Sequence, residues 1–441
     1  MTLGFFPTDR IASWSRLGIR HQSIGRPRFV SDLSAWSGGQ AGPRLAIGSR
    51  RSYSDVGLAD GGRLVDMTGL QRFRSFDADT GVLVAEAGVT LDSILTTFVP
   101  RGFFVPVTPG TRFVTLGGAV ANDVHGKNHG CAGTFGCHVR SLVLERSDEG
   151  RIRVSPDEHG DLFAATIGGL GLTGVILEVE LQLQRIPSAF LDTETIACRN
   201  LDQLCDLLEA SEADYEHSVA WIDCTATGAA LGRGILSRAN WSNQGDFRVH
   251  RTPRKSVPSD RMDGLLNPVT LKIFNTVYYG LGRMTAGRAI RHYEPLFYPL
   301  DAILNWNRLY GRAGLYQYQC VIPRDAGRRP VARLLERIAA SGEGSFLAVL
   351  KSFGNVASPG MLSFPRQGLT LALDFRNRGN RTLDLLRDLD AFVEEAAGRL
   401  YPAKDIRIPR KMFESGYPAL GRFATHVDPN CCSDFWKRMS Q

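Results

Sequence analysis

The sequence predicts an α+β protein of two domains, and three observations carry that expectation. At 441 residues the chain exceeds the size at which one hydrophobic core stops growing. Its first part interleaves short strand-like runs and helices with glycine turns, and the glycines concentrate between Gly102 and Gly174. From about Leu191 the texture changes, and the strand, strand, helix pattern that begins at "GLYQYQCVIP" looks like a separate α+β unit.

The elements follow in order. "PRLAIGS", "GRLVDMT" and "GVLVAEAGV" each hold a few β-compatible residues that end at a turn. "VTLDSILTTFVPRG" predicts a helix with Thr90 as N-cap, Asp92 in the first turn, Leu91, Leu95 and Phe98 on one face, and Gly102 closing it. "NLDQLCDLLEASE" sets Asn200 and Gln203 in capping-box positions and lines Leu201, Leu204, Cys205 and Leu208 along one stripe. The basic, partly apolar stretch from Arg254 to Arg291 has no clean period. It reads either as an excursion, a lid or membrane-facing segment, or as an irregular connection with helical turns.

Strands return in "GLYQYQCVIP", "GSFLAVLKSFG" and "LTLALDFRN". Alternation puts Gln317 and Gln319 on one face, and Val349, Lys351 and Phe353 on one face. "TLDLLRDLDAFVEEAAG" predicts a helix from an N-cap at Thr382 to Gly398, burying Leu386, Leu389, Phe392 and Ala396. "LYPAKD" follows, and spacing alone does not separate its Lys404 from a solvated surface lysine.

Composition narrows the function classes. With 43% hydrophobic and 22% charged residues and no repeat or low-complexity tract, the chain is an ordinary globular protein. The formal charge of +7 is spread out and not gathered in a basic arm with aromatics, which argues against a nucleic-acid partner. It suits an anionic ligand or an anionic membrane surface. Eight cysteines without a CxxC pair predict free buried thiols in a reducing compartment. Neither a signal-peptide pattern nor a run of about twenty apolar residues is present, so a cytoplasmic protein is expected, with peripheral contact at the inner membrane open.

Two motifs invite a wrong reading. Gly169, Gly171 and Gly174 in "GLGLTG" match a dinucleotide fingerprint, but the run before them reads as a helix and "VILEVELQLQR" after them as a strand, the reverse of what that motif requires. In "VHGKNHG", His125 and His129 are four apart like zinc ligands, yet Gly126 stands where the metalloprotease pattern needs glutamate, and no third ligand follows. No metal is expected; structural hydrogen bonding is the reading for His129.

At "IGSRRSYSD", "TPGTRFVTLGGAVANDVHGKNHG" and "IGGLGLTG" the chain resembles the vanillyl-alcohol oxidase family of FAD enzymes. The resemblance continues through "SVAWID", "NWNRLYG", "YQYQCVIP", "LKSFG", "LALDF" and "GRLYPAKD". It is closer to the branch that oxidises a polyprenyl-phosphoryl ribose in arabinan precursor synthesis. It implies the two-domain FAD-binding fold of that family: an FAD domain over residues 1–185, an α+β substrate domain built on an antiparallel sheet over 186–398, and a segment over 399–441 returning to the first. Bare glycine backbone can cradle a pyrophosphate without cationic side chains.

The implied FAD contacts are Gly48, Ser49, Arg50, Arg51, Ser52 and Tyr53 in one loop, and Gly110, Thr111, Thr115, Gly117, Gly118, Ala121 and Asn122 in another. Gly174 and Ile176 lie by the adenosine end, and His125 and Tyr401 by the ring. Arg51 stands where several members carry the histidine that bonds the flavin, so non-covalent FAD is implied. The substrate pocket would comprise Lys127, Trp221, Gln317, Gln319, Lys351, Phe353 and Lys404. Lys404 is the first candidate for the base, ahead of Tyr53 and His125.

Ala372 replaces a cysteine that nitroaromatic inhibitors attack in mycobacterial members. Val219, Phe297 and Thr370 fall where the better-known members carry serine, tyrosine and asparagine. The implied activity is oxidation of a secondary sugar hydroxyl, on a polyprenyl-phosphoryl pentose, to a keto sugar as the first half of an epimerisation. A short-chain dehydrogenase/reductase partner would complete it. A soluble alditol or aldonolactone oxidase and a non-catalytic flavin-binding scaffold are the alternatives.

Overall fold

The computed structural model describes residues 3–8, 11–33, 43–252, 255–261 and 266–440. Helices mix with largely antiparallel sheets, as the α+β expectation requires. A four-stranded mixed sheet orders Phe6–Thr8, Gln22–Gly25, Arg63–Asp66 and Arg44–Ile47. A five-stranded antiparallel sheet orders Phe73–Asp77, Val82–Glu86, Val175–Gln182, Val139–Arg146 and Gly150–Val154. The largest sheet has eight antiparallel strands: Gly287–His292, Phe190–Cys198, Gly234–Trp241, His217–Ile222, Val349–Phe353, Gly368–Arg376, Leu315–Pro323 and Arg399–Leu400.

The alternation of "VILEVELQ" explains the central strand of the five-stranded sheet: Ile176, Val179 and Leu181 are buried in one core with Leu142 and Leu144 of its neighbour. Helix Leu91–Phe98 closes over that core with Leu91, Ile94, Leu95 and Phe98, each contributing roughly 2 kcal/mol by leaving water. The Thr90 Oγ1 accepts from the Ser93 N–H at 3.1 Å, and Gly102, at φ 78°, ends the following turn in the left-handed region.

The eight-stranded sheet has two faces of different character. One carries Ala220, Leu236, Tyr318, Cys320, Leu350, Leu371 and Leu373, buried under helices Leu201–Ser211, Arg329–Ser341 and Asn380–Glu395. The other carries the residues of opposite parity and is left for the site. The last forty residues add Phe413, Tyr417, Phe423 and Phe435 to the same core. Backbone bonds from Arg44 N–H to Asn430 O (2.8 Å), from Cys432 N–H to Arg44 O (3.1 Å) and from Asp434 N–H to Leu58 O (2.8 Å) tie the chain end to the first strands.

Several local expectations need correction. Gln203 does not close a capping box on Asn200; its Oε1 accepts from Arg199 N, while Asn200 caps alone. Helix Asn380–Glu395 begins before Thr382, whose hydroxyl instead bridges Arg378 N and Arg376 O. Its buried face is Leu385, Leu386, Leu389 and Val393; Phe392 and Ala396 are only half-buried, and Ala397 (φ 51°), not Gly398, takes the left-handed turn.

The stretch read as having no period contains helix Pro268–Met284, with Asn267 and Thr270 forming a true capping box, and the edge strand Gly287–His292. Its apolar residues Val269, Ile273, Val277 and Leu281 do recur every fourth position, a helical period overlooked in the sequence. The cysteines are all free, but Cys131 and Cys137 are exposed and not buried.

Candidate active site

One cavity of about 580 Å³ takes walls from all three large sheets. Its first wall is two glycine-bearing loops. Gly48–Tyr53 leaves the end of strand Arg44–Ile47, and Gly110–Asn122 runs through the short helix Leu116–Ala121. The loops approach closely at Gly48, where a Cβ would lie 2.0 Å from Thr115 Oγ1, and at Gly117 a Cβ would lie 2.8 Å from Ala87 Cβ. Gly171 and Gly174 line the cavity too, in a turn between helix Gly160–Thr166 and strand Val175–Gln182. That order is the reverse of a dinucleotide-binding βα turn, as the sequence indicated.

The register of the large sheet builds the floor. Ile235, Trp221, Val349, Ala372 and Gln319 are successive cross-strand partners, so five side chains form one row. A neighbouring row holds Ser237, Val219 and Lys351, and Gln317 is paired with Asp374. Period-two alternation thus sends one residue set into the core and the other into the cavity.

Lys404 enters from the turn at 401–405. Tyr401 N–H donates to Gln319 O at 3.0 Å, Lys404 N–H to Tyr401 O at 2.9 Å, and Tyr53 N–H to Ala403 O at 2.9 Å. The turn is therefore pinned between the floor and the first glycine loop. The Lys404 ammonium lies 4.4 Å from the Tyr53 ring centroid, a cation–π distance.

The electrostatics are unusual for so small a space. Lys127, Lys351 and Lys404 all line the cavity, with Asp301 and Asp374 as its carboxylates. Burial pushes Lys404 down to about 8, although Asp374 pulls the other way. Burial pushes Asp374 up to about 7 against the pull of Lys404. Lys127 falls to about 8 through burial, partly offset by Asp301. Lys351 is driven well below the ordinary lysine range by burial and then by Lys127 and Lys404.

His125 is held neutral by burial and Lys351. Its Nδ1 lies 3.1 Å from Lys351 Nζ and its Nε2 3.1 Å from the Gln319 amide, so both ring nitrogens already have partners. Tyr53 is buried and its phenol is pushed far above its usual range, so it stays protonated. Of the three candidate bases, Lys404 alone combines a free acceptor atom with a titration near neutrality.

Every residue assigned to the FAD or substrate site lines this cavity except Phe353. Phe353 is fully buried one layer back, its ring 4.8 Å from His125 and 4.6 Å from His129. Phe297 and Thr370 do not line the cavity: the Phe297 carbonyl accepts from Lys127 Nζ at 3.1 Å, and the Thr370 hydroxyl contacts Gln319. Val219 and Ala372 do line it. Among the described residues His129 makes no hydrogen bond through either ring nitrogen; it packs on Phe353, and burial pushes it down to about 4.

Sequence reading missed Asp374, although the alternation of "LALDF" puts it on the face of Ala372. It also missed Asp301 and Tyr278, for which the sequence carried no signal. Among the described residues, four buried polar atoms on the cavity lining have no protein partner: Arg51 Nε, Asn122 Oδ1, Gln317 Oε1 and Asp374 Oδ1. Unpaired buried donors and acceptors around a bare-backbone cradle fit a large polar ligand such as FAD.

Comparisons with known proteins agree. Residues 30–155 match the family model described as FAD binding domain. The chain is 35% identical to decaprenylphosphoryl-β-D-ribose oxidase of Mycolicibacterium smegmatis, over 90% of this chain and 88% of that protein. An uncharacterized protein of Streptomyces coelicolor, from the mprA 5′ region, is 34% identical over 80% of this chain and its own whole length. L-gulonolactone oxidase of Mus musculus is 28% identical over 43% of this chain and 41% of that protein.

Proposed function

The chain belongs to the family of FAD-dependent oxidoreductases that includes decaprenylphosphoryl-β-D-ribose oxidase, and on that premise we propose that it oxidises a secondary hydroxyl of a lipid-linked, phosphorylated sugar. The observation that carries the reading is the two-sided chemistry of one cavity. Lys127, Lys351 and Lys404 line it together with Asp301 and Asp374, and the adjoining Trp221, Ile235 and Tyr278 make an apolar arm. An anionic head with an apolar tail satisfies both, and a polyprenyl-phosphoryl pentose has that form.

Bound FAD would supply the two-electron, hydride-accepting chemistry that turns a carbinol into a ketone. The residues of this chain supply the rest. The two glycine loops would hold the cofactor, Gln317 and Gln319 orient the sugar from the sheet, Lys127 meets the phosphate, and Lys351 positions His125 through their 3.1 Å contact. Neutral Lys404 accepts the hydroxyl proton as the carbon–hydrogen bond breaks, leaving a ketone. Replacement of the usual polar wall residues by Val219 and Ala372 reduces the hydroxyls the pocket can satisfy, which favours a pentose over a longer polyol.

The same reading divides the chain into a cofactor unit over 1–185, a substrate unit over 186–398 and a returning segment over 399–441. It makes a short-chain reductase the consumer of the keto sugar, in an epimerisation feeding arabinan precursors. It sets the enzyme at the cytoplasmic side of the inner membrane. Among the described residues no helix is long and apolar enough to cross a membrane.

The test is an anaerobic titration of the FAD absorbance. A polyprenyl-phosphoryl ribose is expected to bleach it, and free alditols and aldonolactones are not. Bleaching by L-gulonolactone alone would sink the reading in favour of a soluble lactone oxidase, which the partial match to L-gulonolactone oxidase favours. A second expectation concerns attachment. The Arg51 guanidinium stacks 4.1 Å above the Trp14 ring and offers no nucleophile for a flavin bond, so acid denaturation should release all FAD into the supernatant. Colour retained in the pellet would contradict it.

A further inference from the structure

Helix Pro268–Met284 crosses the eight-stranded sheet on a narrow footing. Leu271 and Asn275 are buried, Asn275 Nδ2 donates to Asp223 at 3.0 Å, and Gly282 sits so close that a Cβ would lie 2.6 Å from Ile235. The side turned away from the sheet is apolar. Val269, Ile273, Val277, Leu281 and Met284 are each more than half exposed, and Phe274 is exposed beside them. At about 100° per residue these six, Gly280 and the half-buried Thr270 fill one arc of about 140°. Lys272, Thr276 and Arg283 form its edge.

An amphipathic helix ordinarily buries its apolar arc; this one has apolar residues on both sides and buries only the narrower one. From Leu266 to Tyr293 the chain carries Lys272, Arg283, Arg288 and Arg291 and no Asp or Glu. Arg288 contacts Glu194 at 3.4 Å; Lys272, Arg283 and Arg291 are exposed and have no ion-pair partner among the described residues. Ile290, on the adjoining edge strand, is also exposed, as is Ile303 at the cavity rim. Tyr278 joins this helix to the cavity: it lines the apolar arm and packs on Trp221 with ring centroids 4.6 Å apart.

We propose that the outer face of helix Pro268–Met284 docks on an anionic lipid bilayer, with the apolar arm of the cavity opening against it. An apolar arc edged by lysine and arginine without carboxylates matches the boundary between acyl chains and anionic headgroups, and a soluble protein partner would not require so one-sided a charge. The apolar tail of a lipid-linked substrate then passes from bilayer to cavity beside Tyr278 without crossing water. The proposal deepens the lipid-linked reading above, and its test separates the two.

FAD-loaded full-length protein is sedimented with vesicles of phosphatidylglycerol and phosphatidylcholine, and with phosphatidylcholine alone. Binding to the anionic vesicles, weakened by added salt, is expected. Ile273→Asp/Val277→Asp should bind them at least ~10-fold less, with FAD content and melting unchanged, because both side chains point away from the sheet. Lys272→Glu/Arg283→Glu should lose binding similarly without altering the apolar arc. Wild type that ignores anionic vesicles, or variants that bind like wild type, would overturn the proposal. So would a lipid-free dimer that Ile273→Asp/Val277→Asp splits, since a second copy would then own the face. Vesicle binding without bleaching by any lipid-linked sugar supports the surface and refutes only the substrate reading.

Discussion

Lys404→Met is expected to lower the rate of flavin reduction by ~10²–10⁴-fold while FAD remains bound, the range that removal of a positioned general base commands. The side chain comes from a turn locked by backbone bonds to Tyr53 and Gln319, so methionine can occupy the same path without moving either loop. The competing bases are poorly placed to compensate: His125 has both ring nitrogens engaged, and the Tyr53 phenol stays protonated. Rapid-mixing absorbance at saturating substrate reads the effect. Undiminished reduction would remove Lys404 from the chemistry, and loss of FAD would make it a cofactor ligand. Loss of reduction with intact FAD excludes the non-catalytic scaffold.

The pH profile gives the same residue a second signature. Burial lowers the Lys404 ammonium to about 8, and its base form is the neutral amine, so kcat/KM should rise with pH through a limb near that value. Asp374 opposes the shift by raising Lys404. Asp374→Asn therefore removes that support, and the limb should move to lower pH. In Lys404→Met the limb should vanish. A limb unmoved in Asp374→Asn would mean that the carboxylate does not sense the lysine, and the pair would have to be treated as two independent groups.

Much of this was legible in the chain because two simple periods carried it. Alternation in "LYQYQC" and "VLKSF" already aligned Gln317 with Gln319 and Val349 with Lys351; the fold adds the register that puts Ala372 and Asp374 between those strands. The glycine loops were readable because close backbone approach leaves few alternatives to glycine, as at Gly48 against Thr115. What escaped was what depends on packing between elements. Phe353 has the parity of a cavity residue, but at the end of its strand it turns under His125 and His129. Helix Pro268–Met284 was missed although Val269, Ile273, Val277 and Leu281 recur every fourth residue; what the sequence did not show is that this apolar face is the exposed one. Thr382 looked like an N-cap, but the glycine at 379 started the helix earlier.

Arg112→Met is expected to cost about 3 kcal/mol of stability, the low end for breaking a buried ion pair from one side. No part of the Arg112 side chain is exposed, and its guanidinium faces Asp92 at 2.7 Å, Glu294 at 3.4 Å and Asp301 at 3.6 Å. Its own N–H also donates to Asp301 at 2.9 Å, and its Nη2 to Arg251 O at 3.1 Å. Methionine fills the volume but leaves three carboxylates converging without their cation; Asp92 retains His250 at 2.9 Å, whereas Asp301 is almost wholly buried.

The damage should reach the site, because Arg112 lies in the second glycine loop and Asp301 lines the cavity. Denaturant unfolding should show the lost stability, and FAD should dissociate more readily from the folded variant. Arg112→Lys, which keeps the charge but not the planar fork that reaches several carboxylates, should fall between the two. An unchanged unfolding midpoint in Arg112→Met would mean that the three acids protonate or hydrate at little cost, and that the loop is held by its glycines and Thr115 alone.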